Sequence, residues 1–206
     1  AIRSSSLLED SMHQPFAGIY STLMIPNHGP NLRDRERDLR SAIKLVFAST
    51  FLENAKSYLA ATGNRIEEEK MAVIIQKVVG RQHGRRDYPS FSGVAQAHNY
   101  YPIGPQKAEE GIVHVALGLG RLVVDGGLAL RFSPRHPQSM PQFARPKSLL
   151  ESTQSGFFAL DMDRQCCLTG EDLYDTLQFY DLKVAEDDGV LHPIASVYSA
   201  SEDRIR

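Results

Sequence analysis

Cysteine is scarce: the chain has two, Cys166 and Cys167, and they are adjacent. Adjacent thiols cannot staple distant segments and lack the C-x-x-C spacing of redox or zinc sites, so a reduced, cytoplasmic setting is expected. No apolar run approaches the ~20 residues of a membrane-spanning helix. The opening residues read as part of a motif rather than as a secretory leader. Neither sign of charge is in excess, with 23 Lys+Arg against 25 Asp+Glu and a net charge of −2. That balance leaves no electrostatic footprint for nucleic acid or an anionic membrane surface. His83, His98, His114, His136 and His192 show no metal-ligand spacing, and no nucleophile-elbow pattern surrounds Ser4 to Ser6. With 42% hydrophobic and 23% charged residues and no low-complexity tract, a packed globular core is expected over the 206 residues, as one domain or a large part of one.

The opening stretch AIRSSSLLEDSMHQPFAGIY organises the reading. Arg3 carries a planar fork of donors that fits phosphate oxygens. Small hydroxyls follow at Ser4, Ser5 and Ser6, and Gly18 permits close approach of a backbone to a ligand. The competing reading of the same residues pairs Arg3 with Glu9 or Asp10 beside a Ser-rich turn. The run resembles the R-S-S-A-x-x-E-D-x-x-x-x-x-F-A-G signature of the nucleotide-binding domain of phosphoenolpyruvate synthase, pyruvate phosphate dikinase and rifampicin phosphotransferase. Arg3, Ser4, Ser5, Glu9, Asp10, Phe16, Ala17 and Gly18 fall in register with it. The resemblance implies an ATP-grasp fold, two lobes clasping ATP, with Arg3 on the nucleotide phosphates. It also implies a preceding lobe with a phosphate-binding Lys. Because the chain opens inside a motif without a Met, it is expected to be an excised piece of a longer protein.

Further along, Ile19–Ile25 reads as a strand stopped by PNHGP. Asn31 is a candidate N-cap, with Asp34 and Glu36 in the first helical turn. Leu39, Ile43, Val46, Phe47, Phe51, Ala55, Tyr58 and Leu59 then recur at helical spacing up to Gly63, as one long helix or two abutting ones. Met71–Val79 is a continuous apolar run, the pattern of a strand buried on both faces. In the resembled family this strand leads to the adenine-holding hinge, which places Gln76, Lys77 and Val78 there, mainly through backbone amides. Gly80–Pro89 reads as an exposed basic loop, and Phe91–His98 and Ile112–Leu117 as strands. Gly118–Gly127 (GLGRLVVDGG) is similar to the family's G-L-G-E-x-V-x-x-G segment. Pro134–Pro146 reads as irregular; Ser155–Met162 and Leu177–Val184 alternate as antiparallel strands, and Val190–Ser199 is a further candidate.

One departure bears on mechanism. After Gly120 the family has a carboxylate that helps hold magnesium on the ATP phosphates, and this chain has Arg121. A hard dication needs oxygen ligands, and a guanidinium offers none. Ten residues on, where the family places another polar or acidic residue, stand Arg131 and Phe132. Candidate replacement carboxylates are Asp125, Glu9 and Asp10. Three readings follow: phosphoryl transfer with Arg121 neutralising phosphate directly, nucleotide binding without catalysis, or a scaffold with Arg121 paired to Asp125 or another acid.

The expected fold is α+β, the C-terminal portion of an ATP-grasp-like domain, with a mixed or antiparallel sheet and a long helical segment. Residues 1–135 would form the nucleotide-binding segment and 136–206 a β-rich extension. The expected role is ATP binding in a phosphotransferase that passes phosphate toward a phosphohistidine on a separate swivelling domain, with Arg3 and Arg121 as the catalytic candidates. The alternative is a non-catalytic regulatory or interaction module. Arg3, Ser4, Ser5, Gly18, Gln76, Lys77 and Val78 are the expected ATP contacts, and Mg2+ is the family's companion ion.

Overall fold

The computed structural model describes residues 1–9, 18–62, 65, 67, 69–139, 146–163 and 176–205. Phe16, Ala17, Asp10, Gly63 and the Cys166-Cys167 pair lie outside them. The architecture is α+β, and the chain divides into two compact units. Unit 1 is Ala1–Val78 with Leu160–Leu177, and unit 2 is Val79–Ala159 with Gln178–Arg206. The final third of the chain contributes to each unit.

In unit 1, β1 (Ile2–Ser6) is the middle strand of a three-stranded sheet, between β2 (Thr22–Leu23) and β3 (Met71–Ile75). Both pairings are antiparallel, with Arg3 opposite Thr22 on one side and Ile74 on the other. Helix α1 (Leu32–Ala48) starts where the sequence places it: the Asn31 side chain accepts from the Asp34 amide at 2.8 Å. Its apolar stripe packs Ala42 and Val46 against Ile2, Leu23 and Ile25. The helix is interrupted at Ser49, whose hydroxyl donates to the Val46 carbonyl at 2.6 Å and accepts from the Ser21 amide at 3.1 Å. That side chain competes with the helical ladder, so a 3-10 turn (Ser49–Phe51) separates α1 from α2 (Glu53–Thr62). Ala55 and Leu59 of α2 form a second small core with Tyr20.

The run from Met71 does not form a strand buried on both faces. It pairs over five residues, and Ile74 and Ile75 are 37% and 57% exposed. α1 covers one face of the sheet, where Ile2 and Val73 pack against the helix, and Arg3 and Ile74 lie on the other face.

In unit 2, β6 (Ser92–Gln96), β7 (Ile112–Ala116) and β8 (Leu130–Phe132) form an antiparallel sheet in that order. The stretch expected as an exposed basic loop is a hairpin, β4 (Arg81–His83) and β5 (Arg86–Tyr88), turned at Gly84 with φ +58°. Tyr88 is fully buried and stacks on Phe157, centroids 4.6 Å apart. A four-stranded sheet runs β10-β9-β5-β4, with β9 (Gly156–Asp161) and β10 (Leu177–Asp181). The chain leaves β10 as helix α5 (Leu182–Asp187), not as a longer strand, because Asp181 caps it by accepting from the Lys183 amide. Helix α4 (Pro146–Ser152) follows the Pro-rich stretch, and Val190–Ser199 yields a strand only at β11 (Tyr198–Ser199), paired with β12 (Arg204–Ile205).

Candidate functional site

Arg3 stands in the middle of β1, and strand alternation sends its side chain to the uncovered face with Thr22, Ser5, Ala72 and Ile74. Among the described residues, no hydrogen bond or ion pair engages its guanidinium. Glu9, the partner weighed from sequence, is occupied elsewhere. Its carboxylate accepts from the Ser4 hydroxyl at 2.8 Å and from the Ser6 amide at 2.9 Å, and its own amide donates to the Ser6 hydroxyl. Ser4 and Ser6 are buried on the face turned away from Arg3. Of the motif serines, Ser5 is the one that shares the Arg3 face, and the geometry does not bring Ser4 to it.

Gln76 continues the β1–β3 pairing. Its amide donates to the Ala1 carbonyl and its carbonyl accepts from the Ala1 ammonium, each at 2.8 Å. The Gln76 peptide is therefore spent inside the sheet, which leaves Lys77, exposed, and Val78, half-buried, as the free-running part of the segment. Gly18 has φ +78°, and a Cβ built on it meets nothing within 4 Å, so its conformation, not crowding, calls for glycine.

The second motif lies in unit 2. Two residues beyond the end of β7 stands Gly118, which has φ +81° and presses on β9: a Cβ there would stand 2.6 Å from the Phe158 carbonyl oxygen. The Leu119 amide donates to that same oxygen at 2.7 Å. Gly120 then opens the four-residue helix α3 (Arg121–Val124). Arg121 is doubly held, by an ion pair to Asp125 at 3.0 Å and by stacking over the Phe158 ring at 5.2 Å. Sequence reasoning could not find Phe158, because it lies in the final third, outside the resembling segment. Arg131 donates to the Asn99 side chain at 2.8 Å and to the Tyr101 carbonyl at 3.0 Å, so it ties down the loop after β6. Across the sheet from it, His114 is held below the ordinary imidazole range, first by burial and then by the Arg131 charge. A cavity of about 390 Å³ lies beside His114, lined also by Val94, Gln96, Val123, Gly126 and Gly127.

Among the described residues no group of His, Cys, Asp and Glu is arranged to hold a metal ion. Of the described carboxylates proposed from sequence, Glu9 accepts a protein hydrogen bond at each oxygen, and Asp125 is paired through one oxygen with Arg121. Asp10 lies outside the described residues. No helix among the described residues is long and apolar enough to cross a membrane.

Arg3 is thus exposed on the sheet face away from α1, with no partner among the described residues. Comparison with known proteins gives the family. The profile of the pyruvate phosphate dikinase AMP/ATP-binding domain matches residues 1–148, and the chain belongs to that family. It is similar to the uncharacterized phosphotransferase YvkC of Bacillus subtilis (strain 168), 30% identical over 128 residues that make up 62% of this chain. The matched stretch is 13% of that relative's length. No solved structure matches the chain.

Proposed function

We propose that this chain is the ATP-binding portion of a phosphotransferase of the phosphoenolpyruvate synthase and pyruvate phosphate dikinase kind. Arg3 is the group that takes the triphosphate. The observation carrying this reading is an exposed guanidinium with no partner among the described residues, on the sheet face that α1 leaves bare, in a chain of an AMP/ATP-binding family. Ser5 and Thr22 stand on the same face as hydroxyl donors. Ile74 gives that face an apolar neighbour, and Lys77 and Val78 supply the backbone for the adenine.

Arg121 lies in the other unit, where its pair with Asp125 would have to open before the guanidinium met a phosphate. An exposed ion pair is worth about 0–1 kcal/mol, so that opening is inexpensive beside a charge-assisted bond to phosphate. ATP would donate the phosphoryl group, and a phosphohistidine on another domain of the longer protein would receive it. No step is assigned to magnesium.

A second reading, a nucleotide-binding module without catalysis, is favoured by the Arg121–Asp125 pair, which occupies the position of the family's metal-side carboxylate. Calorimetric titration of ATP into the chain, with and without magnesium, tests both. Saturable binding that ignores magnesium is expected. Binding that needs the ion would restore a metal-assisted mechanism, and no binding at all would overturn the proposal.

A further inference from the structure

Unit 2 contains a second, larger space on the sheet face opposite His114. It measures about 640 Å³ and is walled by Val115, Leu130 and Phe132 of the sheet, Leu150 of α4, and Leu191 and Ile194 of the segment after α5. Val115 and Leu130 are directly opposed across β7 and β8, so they form one continuous patch of wall. Leu130, Leu150 and Ile194 are 38%, 44% and 43% exposed, so the space is an open apolar groove and not an enclosed void. Its size falls within the roughly 300–1,000 Å³ of small-molecule sites. An apolar ligand seated there would remove that wall surface from water.

The polar groups around it define the occupant. Gln154 lines the space, but its carbonyl oxygen accepts from the Leu117 amide and its nitrogen donates to the Leu117 and Gly156 carbonyls. The Thr153 hydroxyl donates to Leu150, and the Tyr198 hydroxyl to Asp203. Ser152 also has a protein partner. Among the described residues, Ser196, exposed at the mouth, is the remaining lining hydroxyl, and no charged side chain lines the space. Phe91, 64% exposed, sits at the rim.

We infer that this groove binds a small, neutral, largely apolar molecule carrying at most one hydrogen-bonding group. Its chemistry is unlike that of the nucleotide surface: a triphosphate would find no cation among the described wall residues. The Ala116–Leu117 wall runs directly into Gly118, so an occupant would bear on the strand end that carries the glycine loop.

The test is a fluorescence titration of the full chain with N-phenyl-1-naphthylamine, a neutral naphthalene dye. Saturable binding near one dye per chain is expected, with a dye-dependent rise in melting temperature and no competition from ATP. Val115→Phe, which fills the space, should weaken binding at least tenfold. Leu130→Trp repeats the test from the opposing strand, and the melting shift of the unaltered chain reads the site without any variant. Absence of saturable binding would overturn the inference. So would displacement of the dye by ATP, unchanged affinity in a folded filling variant, or loss of the signal as the chain self-associates.

Discussion

Arg3 and Arg121 stand at the heads of two motifs, yet the structure treats them oppositely. Arg3 sits mid-strand, where alternation forces it onto the uncovered face while Ser4 and Ser6 are drawn to the buried side and locked by Glu9. Arg121 begins a one-turn helix, where the residue four positions on is a carboxylate, and a ring from β9 lies beneath it. Among the described residues, the same side chain is thus without a partner in one unit and partnered in the other. Availability is decided by what the local backbone places within reach, and a motif string records only the residue type. The two glycines make the same contrast: Gly18 has open space around it, whereas Gly118 is pressed against the β9 backbone.

The largest expected effect probes how unit 2 is held. Asp188 accepts from Arg86 at 2.6 and 3.1 Å and from the Tyr88 hydroxyl at 2.7 Å, with side-chain exposures of 20% for Arg86 and 10% for Asp188. Removing one member of this part-buried pair leaves Arg86 and the Tyr88 hydroxyl without their acceptor, so Asp188→Ala should cost about 2–3 kcal/mol in chemical denaturation. Burial raises the Asp188 carboxyl, but the hydrogen bonds from Arg86 and Tyr88 outweigh it, and the net direction is below its ordinary value of 3.8. A carboxylate depressed in the folded state contributes its stability above the unfolded value. That contribution is lost as pH falls below about 3.8 through the folded value, and the Asp188→Ala variant should lack this acid-sensitive component. An unchanged acid limb would remove the pair from the account.

Next in size is the glycine contrast. Alanine at Gly118 meets both a left-handed backbone and the Phe158 carbonyl, while alanine at Gly18 meets the backbone term alone. Gly18→Ala should cost about 1–2 kcal/mol and Gly118→Ala clearly more, measured as paired melting curves. Equal costs would mean that the glycine loop is not fastened to β9. Smallest is Arg121→Ala, whose exposed pair and single stacking contact predict a stability loss of about 0–1 kcal/mol. A larger loss would make Arg121 a structural residue outright.

Much of the unit 1 scaffold was legible: the Asn31 cap, the apolar stripe through Ala55 and Leu59, and the strand starting at Met71. So were the family and the ATP-binding class, because motif spacing carries them. Strand partners were not. Register is a tertiary property, so nothing local announced that Arg3 would face Thr22 and Ile74, or that Gln76 would spend its peptide on Ala1. The β4–β5 hairpin escaped because Arg81–Tyr88 is polar and charged. Its stability comes from Tyr88 against Phe157 and from Asp188, about a hundred residues along the chain. α5 escaped because its apolar residues continue a strand-like alternation, and its start depends on a cap by Asp181 that sequence alone left ambiguous.

The most direct measurement compares ATP affinity by calorimetry for the unaltered chain, Arg3→Ala and Arg121→Ala. If Arg3 holds phosphate through charge-assisted bonds, its loss should weaken binding roughly 10–100-fold with stability changed by no more than about 0.5 kcal/mol. Arg121→Ala should weaken binding less, because Arg121 is already paired with Asp125 in the other unit. Undiminished affinity in Arg3→Ala, or a greater loss in Arg121→Ala, would contradict the assignment of the phosphate site to the open face of unit 1.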